Sequence, residues 1–150
     1  MSKPLFIFDT DHLGILQREN SAEFNVLMHR VSQHPVSNFF VTIVSFHEQV
    51  NGWTAFVTGR RDAASIVKGY ERLEGILADF SRAQVLPFSI AAAEIYDDLR
   101  KQRIRVGTMD LRIAAIAIAN QMTVLTRNSV DFDRVPSLSS EDWTVHGPNE

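Results

Sequence analysis

Five acidic residues stand just after, or one turn beyond, short apolar stretches of this sequence. They are Asp9, Asp11, Glu48, Asp110 and Asp131. Taken singly, each has an ordinary structural role. Asp9 reads as a helix N-cap, and Asp11 and Asp110 as favourable charges on a first helical turn. Glu48 reads as a solvated helix residue and Asp131 as a turn residue. Taken together, they predict several carboxylates converging on one end of a sheet, where they repel one another. The lysines are Lys3, Lys68 and Lys101, so none follows these stretches. A divalent cation is the natural counter-charge, and an all-oxygen ligand set favours Mg²⁺ or Mn²⁺ over Zn²⁺.

Other chemistries find little support. His12 lies near the acids and fits a supporting position, while His29, His34, His47 and His146 lack paired ligand spacing. The seven glycines are scattered and form no phosphate-binding loop. Ser45 and Ser89 read as helix caps, and no nucleophile elbow is present. Arginine outnumbers lysine: only three of the 15 basic residues are lysines. Arg100, Arg103 and Arg105 precede Asp110, and Arg127 precedes Asp131, where guanidinium groups suit phosphate contacts.

The elements that must position these groups follow from pattern. Leu5 to Phe8 reads as a buried strand feeding a helix. Ser21 offers a cap for a helix over 21–33 with Phe24, Leu27, Met28 and Val31 on one face. Phe39 to Val44 reads as a second strand, after which Ser45 caps a helix to Thr58. A helix over 62–81 presents Ile66, Tyr70, Leu73 and Leu77. Val85-Leu86 is a third strand, and Ser89 caps a helix with Ala92, Ile95, Tyr96 and Leu99 inward. Thr108 caps a very apolar helix from Met109 to Asn120, buried on most sides. Thr123 to Leu125 is a fourth strand and Trp143 to Val145 a last edge strand. Short buried strands alternating with helices predict a parallel sheet covered on both faces. Ligands of such sheets bind beyond the carboxyl ends of the strands.

Composition agrees. The chain has 150 residues, 45% of them hydrophobic, which suits one domain over 1–146 with a frayed tail at 147–150. There is no cysteine. The longest apolar run, Ile113 to Ala119, is short of the ~20 residues of a membrane span. The apolar start is too short for a signal peptide. A cytoplasmic protein is expected. The net charge of −3 disfavours coating of nucleic acid by bulk charge. It leaves a nuclease open, since a metal centre itself needs carboxylates.

These residues resemble the PIN-domain ribonucleases of the VapC toxin type. The opening Phe6-Ile7-Phe8-Asp9-Thr10-Asp11 resembles the first motif of that family. Val44-Ser45-Phe46-His47-Glu48, with Gly52 after it, resembles the second. Gly107-Thr108-Met109-Asp110-Leu111-Arg112-Ile113-Ala114-Ala115 resembles the third. Leu125-Thr126-Arg127-Asn128-Ser129-Val130-Asp131-Phe132 resembles the fourth, and Glu141-Asp142-Trp143 the usual ending. The last two motifs are the specific ones. The departures are His12 in place of an aliphatic residue, Phe46-His47 before Glu48, and Asp11 in place of a commoner asparagine.

The resemblance implies a PIN-like three-layer α/β/α sandwich with a short, mainly parallel central sheet. It implies Mg²⁺- or Mn²⁺-dependent cleavage of single-stranded RNA regions that leaves a 5′-phosphate. By match, Asp9 and Asp110 are metal ligands and Glu48 and Asp131 the other two acids of the catalytic set. Asn128 is a polar neighbour, with Thr10 and Asp11 supporting the centre and Arg103, Arg105 and Arg127 available to position RNA. A homodimer and a small antitoxin partner are implied as well. Two other readings remain open. Asp9 and Asp11 also fit the opening Asp-x-Asp of a haloacid-dehalogenase-type phosphatase, as nucleophile and general acid. A PIN-like module that binds RNA or protein without cutting is the other.

Overall fold

The computed structural model describes residues 3–146. The expected frayed tail, 147–150, lies outside the described residues. Five strands form one sheet: β1 (Phe6–Phe8), β2 (Phe39–Thr42), β3 (Val85–Leu86), β4 (Thr123–Leu125) and β5 (Ser139–Glu141). Their order is β3-β2-β1-β4-β5, and every neighbouring pair is parallel. Among the described residues, seven α-helices and a short 3-10 turn (Val36–Asn38) connect and cover them: α1 (Thr10–Arg18), α2 (Ala22–Val31), α3 (Ile43–Thr58), α4 (Ala63–Ser81), α5 (Ile90–Lys101), α6 (Thr108–Asn120) and α7 (Ser129–Phe132).

The period-two alternation of a strand divides the apolar residues between two cores. In β1, Ile7 faces a core built mainly with α5 and α6, including Leu99, Ile113 and Ile116. Phe6 and Phe8 face the opposite core with Ile15, Leu27, Ile76 and Phe80 from α1, α2 and α4. All three residues of β1 are therefore buried, which explains why its sequence is uniformly apolar. The expected sandwich of helices on both faces of a parallel sheet is what forms.

Several expected boundaries move. The second strand ends at Thr42 instead of Val44, because the Thr42 side chain accepts the Ser45 N–H and starts α3. Ser45 is thus freed from capping and turns inward. Gly107, not Thr108, occupies the cap position of α6. The last strand is Ser139–Glu141 instead of Trp143 to Val145. Its pairing with β4 uses backbone groups, which polar side chains do not oppose. Trp143 is drawn into the interior against Phe6, with ring centroids 4.7 Å apart. The inward face of α4 is Gly69, Ile76 and Phe80, flanked by Ile66 and Leu73, while Tyr70 and Leu77 are exposed. On α2, Leu27 is fully buried and Met28 lies outside.

Candidate active site

The register of the sheet builds the site. Phe8 of β1 pairs with Leu125 of β4, so the next residues, Asp9 and Thr126, leave the sheet side by side. The Asp9 N–H donates to the Leu125 carbonyl at 2.9 Å, which extends that ladder by one bond. Asp9 is the N-cap of α1: its Oδ1 accepts the Thr10 N–H at 2.8 Å. Its Oδ2 accepts the Thr126 hydroxyl at 2.8 Å. The capping role and a place at the carboxyl end of the sheet therefore coexist in one side chain.

Thr10 links this carboxylate to the second motif. Its hydroxyl donates to Glu48 Oε1 at 2.9 Å and lies 2.9 Å from the Ser45 hydroxyl. Asn128 performs the same task on the other side. Its amide donates to Asp110 Oδ2 at 3.1 Å and to Asp131 Oδ2 at 3.0 Å. Those two bonds use both of its N–H groups. Asp110 sits on the first turn of α6 and Asp131 on the short α7. The structure thus joins Asp9, Thr10 and Glu48 in one hydrogen-bonded group and Asp110, Asn128 and Asp131 in another.

The two groups feel each other's charge. Burial pushes the Asp9 carboxyl up to about 7, helped by the carboxylates of Asp11 and Asp110 and opposed by the bonds from Thr126 and Thr10. Burial also raises Glu48, against the bond from Thr10, and Asp110 adds repulsion. Burial raises Asp110 in turn, against the bond from Asn128, with Asp131 and Asp11 adding repulsion. Among the described residues, no ion pair reaches Asp9, Glu48 or Asp110, whereas Asp131 meets Arg134 at 3.4 Å. Three acids held in one region, none in an ion pair among the described residues and only Glu48 eased by nearby His47, fit a divalent metal ion. No group of three acids or imidazoles stands ready to ligate one ion among the described residues. An ion there would be held by one or two carboxylates, with other oxygen donors completing its shell.

Asp11 occupies a different position. Its carboxylate faces Arg127 N, the Thr126 hydroxyl and His12 Nδ1. It braces the turn after β4 and is not held apart as a free general acid. The phosphatase reading is therefore not favoured. The arginines are placed unevenly. Arg127 is exposed at the rim. The Arg105 carbonyl accepts from Arg134 at 2.9 Å, which ties it to the Asp131 side. Arg103 sits in a left-handed turn (φ 56°), and no hydrogen bond or ion pair among the described residues joins it to the acids.

Sequence reasoning missed Thr126, Arg134 and the inward role of Ser45. Thr126 was findable, because it follows β4 as directly as Asp9 follows β1. Arg134 was not, since its contact depends on the turn that follows α7.

The chain is similar to several known proteins. A "Ribonuclease VapC" of Rickettsia bellii is 47% identical over 58 residues, covering 36% of this chain and 43% of that protein. The match thus spans less than half the length of that relative. A "tRNA(fMet)-specific endonuclease VapC" of Salmonella typhimurium is 27% identical over 111 residues, covering 71% of this chain and 76% of that protein. The crystal structure of DNA-bound VapBC from Salmonella typhimurium superposes with a TM-score of 0.73 at 22% identity, covering 94% of this chain and 99% of that one. The family model for the PIN domain matches residues 13–138, a span that holds Glu48, Asp110 and Asp131. With that match over most of its length, the chain belongs to the PIN-domain family.

Proposed function

We propose that the chain is a metal-dependent endoribonuclease that hydrolyses RNA phosphodiester bonds, the toxin half of a toxin-antitoxin pair. The observation that carries this reading is the paired arrangement of acids. Asp9 and Glu48 meet through Thr10, Asp110 and Asp131 meet through Asn128, and three of the four lack a cationic partner among the described residues. The VapC names of the similar proteins support the same reading.

Asp9 and Asp110 would hold the ion. When bound, Mg²⁺ or Mn²⁺ supplies charge stabilisation to the phosphoryl group under attack. Thr126 and the Thr10 N–H fix the Asp9 carboxylate, so its geometry is set before substrate arrives. Glu48, raised by burial, would accept a proton from the attacking water. Asn128 orients Asp110 and Asp131 together. Arg127 and Arg105, exposed beside the centre, are available to the RNA backbone.

A homodimer, a small antitoxin partner and a cytoplasmic location belong to the same proposal. No helix among the described residues is long and apolar enough to cross a membrane. The test is cleavage of a tRNA pool with Mg²⁺, with Mn²⁺ and with chelator. Cleavage that needs the metal and is lost in Asp110→Asn supports the reading. Persistent RNA binding without any cleavage would instead favour a non-cutting module.

A further inference from the structure

A second opening lies beside the carboxylates. Residues of α1, α3 and α4 line a cavity of about 500 Å³, within the common range of small-ligand clefts. Thr10, whose hydroxyl reaches Glu48, lines it, so the cavity and the acidic centre share a wall. Trp53 lines it too, with the Arg72 guanidinium 5.8 Å from its ring centroid.

The amides of Gln17 and Gln49 lie on the same wall and exchange two hydrogen bonds, at 3.1 and 2.8 Å. Gln17 also donates to Asp79 at 3.1 Å. These bonds use both N–H groups of Gln17 but only one of Gln49. The Gln49 amide keeps an N–H and a carbonyl lone pair, fixed in orientation by its partner. A donor beside an acceptor matches the edge of a nucleobase. The α4 wall leaves space, since a Cβ at Gly75 would meet nothing within 4 Å.

We propose that this cavity takes one unpaired base of the RNA strand whose phosphate lies at the carboxylates. The base stacks against the Trp53–Arg72 pair and is held at its edge by Gln49. The proposal rests on the ribonuclease reading and adds to it a site for base recognition. An apolar peptide anchor fits less well, because it would leave the Gln49 amide unmatched. Arg18 and Arg72 offset Glu71 and Asp79 along the walls, so a phosphate-linked base meets no net repulsion there.

Intrinsic fluorescence tests it on the full chain in chelator, with AMP, GMP, CMP and UMP as probes. The chain has two tryptophans, and Trp143 is 2% exposed, so quenching by an added base reports Trp53. Saturable quenching by at least one nucleotide is expected, weakened about tenfold in Gln49→Ala and in Gly75→Leu. Absence of saturable quenching, or equal quenching in wild type and both folded variants, overturns the proposal. So does a result in which the variants lose binding of an antitoxin-derived peptide and keep the nucleotide signal. With RNA substrates carrying one abasic nucleotide stepped along the chain, KM should rise at one position beside the cut, and Gln49→Ala should erase that dependence. A dependence unchanged in Gln49→Ala counts against the cavity. The nucleotide titration needs neither metal nor cleavage. A chain that binds nucleotides there and cuts no RNA upholds the cavity and overturns the ribonuclease reading alone.

Discussion

The Asp11 carboxylate accepts the backbone N–H of Arg127, with Oδ2 at 3.1 Å and Oδ1 at 3.3 Å. This contact joins the first turn of α1 to the turn after β4, where Asn128 holds Asp110 and Asp131. His12, fully buried, supports it from behind. Its Nε2 accepts the Trp143 N–H at 3.2 Å, so its Nδ1 carries the proton that faces Asp11 at 2.9 Å. Asp11 and His12 replace residue types commoner at these positions in the resembling family. Here they form a strut from the C-terminal segment to the turn after β4.

The strut makes a prediction about rate. Asp11→Ala removes the acceptor of the Arg127 N–H and should lower kcat about tenfold, with little change in RNA KM. Asp11→Asn keeps one carbonyl acceptor and should recover most of the rate. Single-turnover cleavage at saturating RNA measures both. Equal rates for wild type and Asp11→Ala would show that the strut has no part in cleavage.

Asn128 carries a second prediction. Asn128→Ala leaves Asp110 and Asp131 unbridged: Asp110 is then free to turn away from the centre, while Asp131 keeps only Arg134. Mn²⁺ affinity should fall between about 10- and 100-fold, the usual effect of losing a group that orients ligands. Calorimetric titration of the folded variant reads this without any RNA. An unchanged affinity would assign Asn128 to the turn alone.

Much of this was legible in the sequence, and the reasons it was not entirely so are physical. The strand ends and the acids after them follow from apolar runs and from residue type. Which hydroxyl caps α3 does not, since Thr42 and Ser45 are both good caps and the choice depends on where β2 stops pairing with β3. The last strand was misplaced because Trp143 and Val145 look more strand-like than Ser139-Ser140-Glu141. Edge pairing needs only backbone groups, and Trp143 gains more from the ring cluster. The α4 face was misread because Gly69 has no side chain to mark it. Thr10, Thr126 and Asn128 each reach an acid distant in sequence (Glu48, Asp9 and Asp110), so these partners emerge only once the parallel strands and their following helices are set side by side.

Gly69 itself is a test of the packing. Alanine is favoured over glycine in a helix by about 1 kcal/mol. A Cβ at Gly69 would nevertheless lie 2.3 Å from Val57 Cγ2 and 3.2 Å from Phe56 Cδ1. Val57 is stiff at χ1 and cannot swing away without moving α3. Gly69→Ala should therefore destabilise the fold by about 1–3 kcal/mol. Urea denaturation measures it, and a more stable variant would contradict the α3–α4 contact.

The raised acids make a prediction about pH. An unfolded aspartate ionises near 3.8, whereas Asp9 in the fold ionises near 7. Between these values the folded chain holds the proton more tightly than the unfolded chain. Stability without metal should therefore fall as pH rises from about 4 to 7, by an amount on the order of a few kcal/mol. Glu48 and Asp110 shift in the same direction and add to the trend. A bound divalent ion favours the ionised forms, so Mg²⁺ or Mn²⁺ should restore stability at pH 8 and do little at pH 5. Thermal melts at both pH values, with and without metal, distinguish this from a flat response.

The most direct measurement of the central claim is cleavage of a tRNA pool by the wild type, Asp9→Asn and Asp110→Asn across a Mn²⁺ titration. Wild-type cleavage should saturate with metal, vanish in chelator and be reduced at least about 100-fold in both variants while their folds persist. Metal-dependent cleavage by either variant at the wild-type rate would contradict it.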